Sequence, residues 1–355
     1  MRKLATVRKI DALEPIDGAD LIETAVIGGW KVVVKKGEFT VNSLAVYFEI
    51  DSFIPTELAP FLTSEGKEPR EYNGIKGERL RTVKLRKAIS QGLLLPVTVL
   101  YTAVETRLKE SGVALETIPL IVNEDMDVSD LLNIHKYEPP MPAQLAGMAK
   151  GNFPSWGRKT EQPRCQNLKY EIEDAYNNDC KFEITIKLDG SSMSVGRNNE
   201  DLVVCSRNLS LKLDQENNAF VDAAHKANLL EKLSNYGKNI FISSELMGPG
   251  IQKNRENFGN TQFFVYDILD VDTREYIPGE IRRKITQELG LQHVPVLYES
   301  ITLKELGLDS IDKILAFAEG ISINAKTREG VVFKSIDGSF SFKAISNSFL
   351  LKEES

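Results

Sequence analysis

Between Leu4 and about Val99, apolar and polar positions alternate over short stretches: Ala25-Val26-Ile27, Trp30-Lys31-Val32-Val33-Val34 and Leu44-Ala45-Val46-Tyr47-Phe48. The turn pairs Gly28-Gly29 and Lys36-Gly37 punctuate them. β-Branched runs of this length bounded by glycine read as strands, and several so close together predict a small barrel. From Leu100 to Tyr137 the pattern weakens, allowing a strand at Ile118–Val122 and a short helix near Asp127–Leu132. The run Glu138-Pro139-Pro140-Met141-Pro142 and the stretch Gly151-Asn152-Phe153-Pro154-Ser155-Trp156-Gly157 cannot hold regular structure for long. They predict a linker over 138–158 between two domains, 1–137 and 159–355.

After the linker the periodicity changes. Strand-like segments (Phe182–Lys187, Leu202–Ser206, Ile240–Glu245, Gln262–Leu269, Gly330–Lys334, Phe340–Ile345) alternate with helical ones (Asn217–Ser234, Pro278–Leu289, Ser310–Ile321). The pattern predicts a mixed α+β domain with largely antiparallel sheets. No G-x-x-x-x-G-K-[ST] run is present, so nucleotide binding of the P-loop kind is excluded. For the N-terminal barrel an OB-like form is expected, a shape that commonly binds nucleic acid on one face.

Composition narrows the chemistry. A chain of 355 residues, 42% hydrophobic, can bury cores for two domains. It has no run of about eighteen apolar residues to span a bilayer, and Met1-Arg2-Lys3-Leu4 leads straight into patterned sequence, so no membrane association and a cytoplasmic location are expected. Three cysteines (Cys165, Cys180, Cys205) without C-x-x-C spacing and three scattered histidines (His135, His225, His293) argue against disulfides, a zinc site and a Ser-His-Asp device. The chemistry must then run on Lys, Asp, Glu and Arg. Net charge is −7, yet Arg79-Leu80-Arg81-Thr82-Val83-Lys84-Leu85-Arg86-Lys87 carries five cations and no acid. It reads equally as a charged edge strand and as a phosphate-tracking surface.

The run Phe182-Glu183-Ile184-Thr185-Ile186-Lys187-Leu188-Asp189-Gly190 ends an alternating strand on a lysine. Lysine attacks only as the free amine, rare near neutrality for a group whose ordinary pKa is about 10.4. A divalent metal, a second cation or partial desolvation would disfavour the ammonium form. Asp189, on the same strand face, is placed to hold such a metal through water, and Gly190 would let the backbone approach a phosphate. Alone, K-x-D-G describes a solvated strand end and turn just as well.

The order of later motifs decides. Ser206-Arg207-Asn208, Glu245-Leu246-Met247-Gly248-Pro249-Gly250-Ile251-Gln252, Phe263-Phe264-Val265-Tyr266-Asp267, Glu329-Gly330-Val331-Val332 and Ser341-Phe342-Lys343-Ala344-Ile345-Ser346 follow in sequence. Together they resemble the covalent nucleotidyltransferase superfamily of polynucleotide ligases and capping enzymes. The barrel in front, the Pro-rich hinge and the string Glu161-Gln162-Pro163-Arg164-Cys165-Gln166-Asn167-Leu168 resemble, over nearly the full length, the Naegleria-type ATP-dependent RNA ligases. DNA ligases and capping enzymes carry their OB domain after the transferase domain, whereas Lys343 here is followed by only twelve residues.

This resemblance implies an α+β chain in which an OB-like β-barrel precedes a nucleotidyltransferase domain, ATP-grasp-like, of mixed antiparallel sheets and helices. It implies that Lys187 attacks the α-phosphorus of ATP, that AMP passes from lysine to an RNA 5′-phosphate, and that the RNA 3′-hydroxyl then displaces AMP. Lys187 and Lys343 would be catalytic. Arg164, Arg207, Asn208, Glu245, Phe264 and Glu329 would join them around the nucleotide, with Phe264 stacking on adenine and Tyr266 as its substitute. Asp189, Glu329 and Glu245 would serve Mn2+ or Mg2+. The expected partner is RNA, as a nicked duplex or paired ends with an RNA–DNA hybrid left open, and the expected state is a monomer.

One position departs from the family pattern: related ligases often carry a second lysine two residues after the one matching Lys343, where this chain has Ile345. Lys334 or Lys352 would substitute, or the second cation is dispensable. Two other functions compete, a nucleic-acid-binding protein with a degenerate transferase domain and a GTP-dependent RNA capping enzyme.

Overall fold

The computed structural model of the chain describes residues 2–111, 121–138, 147–214 and 217–353. The chain forms two compact units, Met1–Pro140 with Leu351–Ser355, and Met141–Leu350. In the first, the alternating runs become antiparallel strands. Ile22–Ile27 and Trp30–Lys35 form a hairpin turned by Gly28-Gly29, with Ala12–Pro15 on its other side. Leu44–Phe48 lies between Ala5–Lys9 and Leu93–Pro96, and Ser52–Pro55, Ile75–Arg79, Arg70–Tyr72 and His135–Lys136 make a further sheet. Val7, Val46, Phe48, Ile54 and Leu95 meet inside.

Two expectations about this unit change. A helix, Thr98–Glu110, occupies the stretch whose pattern was weak; Leu100 is its one buried residue, so it carries no apolar stripe to read. Asp127–Leu132 is a run of turns and not a helix. Asp127 bridges Thr6, and the Ser129 hydroxyl accepts from the Leu4 and Ala5 amides at 3.0 and 2.9 Å, so side chains there compete with helical hydrogen bonding. Of the strand expected at Ile118–Val122, residues 118–120 lie outside the described residues and 121–122 are not in a strand.

The second unit contains two sheets. Seven strands run in the order Ala149–Asn152, Leu209–Leu211, Asp201–Cys205, Ser191–Asn198, Ile240–Met247, Gln262–Asp270, Gln292–His293, with only the last pair parallel. Four antiparallel strands form the other: Val296–Thr302, Lys181–Lys187, Gly330–Ser335, Ser341–Ile345. Ala149–Asn152 falls inside the stretch read as irregular; pairing with Leu209–Leu211 satisfies its backbone. The helix expected over Asn217–Ser234 is two, Ala219–Lys226 and Leu229–Tyr236, broken at Asn228 with φ +52°.

Each sheet buries one face under helices. Val221, Leu229, Leu233 and Ile285 pack on Met193, Val195, Ile242 and Val265 of the larger sheet. Ile172, Ile314 and Leu315 pack on Phe182, Ile184, Phe333 and Phe342 of the smaller one. Because strand side chains alternate, the polar residues of both sheets are left on the opposite faces. Those faces build the site.

Candidate functional site

Lys187 closes its strand and pairs in register with Gly330, which in turn pairs with Ile345. Glu329 therefore stands beside Lys187, and its Oε2 accepts a hydrogen bond from Nζ at 2.7 Å. From the larger sheet, Glu245 sits between Ser192 and Phe264, and its Oε1 accepts the Gly190 amide at 2.9 Å. Asp189 Oδ2 accepts from Arg255 Nε at 3.1 Å. Three carboxylates thus gather around one amine. Gly190 has a packing reason that the sequence did not reveal: a Cβ there would lie 2.4 Å from the Leu246 carbonyl oxygen.

Charge and burial compete at this cluster. Burial pushes the Lys187 ammonium down, but Glu329 and Glu245, then Asp189, outweigh it and hold its pKa above the ordinary lysine value. Burial pushes Glu245 up to about 7, with Lys187 pulling it down and Glu329 pushing it further up. Asp189 is raised by burial and by Glu329, against the pull of Lys187 and Arg255. The arrangement is short of positive charge, which is what a cation or a cationic ligand complex would supply.

The remaining expected residues divide by place. Arg164, buried, forms a parallel bridge with Lys343, whose amide donates to the Pro163 carbonyl at 2.9 Å. Lys343 lies two register positions along from Lys187, on the next row of the same face, opposite Val332, which is opposite Thr185. Phe264 is 6% exposed and stacks on Phe258 at 5.8 Å between ring centroids. A register shift makes Tyr266 a bulged residue, and its hydroxyl lies 3.4 Å from Ser192 Oγ, on the face that carries Glu245 and Phe264. Arg207 and Asn208 are exposed after the Asp201–Cys205 strand and contact the 153–161 segment: Arg207 pairs with Glu161 at 3.7 Å and Asn208 Oδ1 accepts from Lys159 at 2.8 Å.

Two features escaped the sequence. Arg255 follows the Gly248–Gln252 motif in a polar loop with no periodicity, and only the fold brings it to Asp189. Lys334, considered above as a substitute cation, is committed elsewhere: its Nζ donates to Asp267 Oδ1 at 2.6 Å and to the Tyr266 carbonyl at 2.7 Å. Among the described residues no group of three or more His, Cys, Asp or Glu side chains is arranged to grip a metal directly. Asp189, Glu245 and Glu329 nevertheless form an all-oxygen, net-anionic set, the donor chemistry that suits a hydrated hard dication.

Comparison with known proteins follows the same lines. An OB-fold domain model matches residues 4–97 and an RNA ligase model matches residues 181–346. No curated protein matches the chain. Among solved structures, Naegleria gruberi RNA ligase with pyrophosphate is 38% identical with a TM-score of 0.86, covering 100% of this chain and 99% of that one. A glutamate-to-alanine variant of that enzyme with AMP and manganese is 38% identical with a TM-score of 0.86, covering 99% of both chains. A lysine-to-alanine variant with ATP and manganese is 39% identical with a TM-score of 0.85, again covering 99% of both. With the two domain models matched in this order and the likeness spanning its whole length, the chain belongs to the RNA ligase family, in the Naegleria-type arrangement that sets an OB-fold domain ahead of the ligase domain.

Proposed function

We propose that this protein is an ATP-dependent RNA ligase that seals 3′-hydroxyl and 5′-phosphate RNA ends at nicks, through lysyl-AMP and RNA-adenylate intermediates. The observation that carries this reading is the single amine of Lys187 at a strand end, ringed by Asp189, Glu245 and Glu329.

The steps balance on this chain's residues. The Lys187 Nζ lone pair attacks the α-phosphorus of ATP, a P–N bond forms, the bond to the β-phosphate oxygen breaks, and pyrophosphate leaves. A 5′-phosphate oxygen of RNA then attacks that phosphorus, and the lysine amine departs with a proton. Finally the RNA 3′-hydroxyl oxygen attacks the 5′-phosphorus, a P–O bond forms, the bond to the AMP phosphate oxygen breaks so that AMP leaves, and the hydroxyl proton passes to water. Lys187 can begin only after losing the proton that Glu329 now stabilises. Lys343, on the neighbouring row, supports the α-phosphate charge. Arg164 and Arg207 with Asn208 are assigned to phosphate and ribose, Glu245 to a ribose hydroxyl, and Phe264 to the base, with Tyr266 beside it.

The donor set fits Mn2+ or Mg2+: Asp189 and Glu329 would hold such an ion, with Glu245 as a further oxygen ligand, and it would supply neutralisation of phosphate charge and disfavour the lysine ammonium. We assign residues 1–137 to nucleic-acid binding, 138–158 to a linker and 159–355 to adenylyl transfer. The reading places a monomer in the cytoplasm, where three free thiols persist. No described helix is long and apolar enough to cross a membrane.

The test is intact mass of the purified protein before and after ATP with manganese or magnesium, alongside Lys187→Ala. An added AMP that the variant lacks supports the ligase. No adduct with either metal transfers the weight to a nucleic-acid-binding protein, and a GMP adduct from GTP alone to a capping enzyme.

A further inference from the structure

The cationic run Arg79–Lys87 is the one sequence motif that the reaction leaves unused. The fold divides it. Arg79 pairs with Asp51 at 2.5 Å and Lys87 with Asp17 at 2.6 Å. Arg81, Lys84 and Arg86 make no salt bridge among the described residues. They belong to a ribbon in which Thr82–Leu85 pairs with Ala88–Gln91 across an Arg86-Lys87 turn, Arg86 at φ +57°.

The base of the ribbon is fixed. Thr82, Ser90 and Gln91 are buried, and the Ser90 hydroxyl accepts the Val33 amide at 3.0 Å. Beyond it every residue from Val83 to Lys87 is exposed, with Val83 and Leu85 each at 43%. A charge-blunted edge strand still buries the apolar side chains on one of its faces. This strand leaves Val83 and Leu85 each 43% exposed, so edge protection alone does not account for the apolar pair. Alternation puts Val83 and Leu85 on one face with Ala88 and Ser90, and Lys84 on the other.

We propose that the Thr82–Gln91 ribbon docks on the RNA duplex that carries the ends being joined, against its minor groove. Val83 and Leu85 rest on sugar edges, and Arg81, Lys84 and Arg86 reach phosphates. An A-form duplex offers a wide, shallow minor groove lined with ribose, whereas its major groove is too narrow and deep for side chains. A single strand is held instead by aromatic side chains stacking on its bases, and Thr82–Gln91 contains none. The identity of the nucleic acid rests on the ligase reading above.

The experiment compares full-length wild type, Val83→Ser with Leu85→Ser, and Lys84→Ser with Arg86→Asn, the last keeping a residue type that tolerates the left-handed turn. The probes are a nicked RNA duplex and one of its single strands, with affinity measured across a salt series; unchanged thermal midpoints control for folding. The apolar pair is expected to weaken duplex binding about tenfold at every salt concentration. The charge pair is expected to lower the slope of log K against log salt by about two. Neither should alter single-strand binding. Unchanged duplex affinity in both variants overturns the proposal, and so does equal loss on duplex and single strand. Label transfer from ATP in the wild type is scored separately: its absence sinks the ligase reading, while the contrast between duplex and single strand still decides the ribbon.

Discussion

Lys187 Nζ lies 2.7 Å from Glu329 Oε2, a contact between residues 142 positions apart that exists because Lys187 and Gly330 pair across neighbouring strands. Without nucleotide the lysine proposed as the nucleophile is therefore a hydrogen-bonded ammonium. Burial alone would favour the free amine, but Glu329, Glu245 and Asp189 together reverse that preference. On the proposed reading, Lys187 could attack only once the charge of its carboxylates is answered by something else.

Glu329→Gln keeps the shape and removes the charge. In nucleotide-free protein, Lys187 is expected to react faster with an amine-acetylating reagent, read by peptide mass, because its amine fraction rises. Adenylylation with ATP and manganese is expected to fall about 100-fold or more. Undiminished adenylylation would reduce Glu329 to a passive partner of the lysine.

Glu245, pushed up to about 7 from an ordinary 4.5, makes stability depend on pH. Between those two values the folded chain keeps a proton that the unfolded chain has released. Stability contributed by Glu245 is thus present at low pH, falls as pH rises through this window, and levels off above it. Glu245→Gln removes the penalty, so its thermal midpoint should exceed that of wild type by about 2–4 °C at pH 8, the gap closing toward pH 4.5. A gap that does not vary with pH counts against the raised pKa.

Ile345 occupies the row of Lys187 and Gly330, the position at which the family resemblance leads one to expect a second lysine. Ile345→Lys would set a second cation on the row of Lys187 and lower the Lys187 pKa. Adenylylation near pH 7 is expected to rise several-fold, measured as single-turnover AMP transfer, with the gain fading at higher pH. An unchanged rate would show that the second cation is dispensable here.

Lys334 ties the two sheets of the ligase unit together through Asp267, which also lies 3.5 Å from Arg282. Arg282 and Arg283 both pair with Glu183, the residue opposite Lys334 in register. Lys334→Met leaves Asp267 buried with Arg282 alone and should cost about 2–4 kcal/mol, read from the urea midpoint. The bulge at Tyr266 should loosen with it, raising KM for ATP more than it lowers kcat. A loss under about 0.5 kcal/mol would mean that Arg282 suffices.

Much of this was written locally in the chain. Strands such as Trp30–Lys35 and Gln262–Asp270 were legible because β-branched and aromatic residues line up at period two, and Lys187 and Asp189 stood out because they end and follow such a strand, whereas Glu245 and Glu329 were singled out by the order of motifs that carries the family resemblance. Where burial was slight, as in Thr98–Glu110, or where side chains captured the backbone, as at Asp127 and Ser129, the pattern misled. Ser191–Asn198 was missed because serines line one face of a central strand.

What the amino-acid order determined by itself is the strands with clear period-two alternation, the order of motifs and hence the identity of the groups available for chemistry. Only tertiary structure decided how those groups are charged and paired. The contacts of Lys187 with Glu329, of Asp189 with Arg255 and of Lys334 with Asp267 join residues far apart in sequence. Register between strands and the meeting of two sheet faces put them within hydrogen-bond reach, and no local periodicity encodes either. The same holds for the Arg79–Lys87 run, whose composition was plain from the start but whose exposed face appeared only when the fold left it unburied.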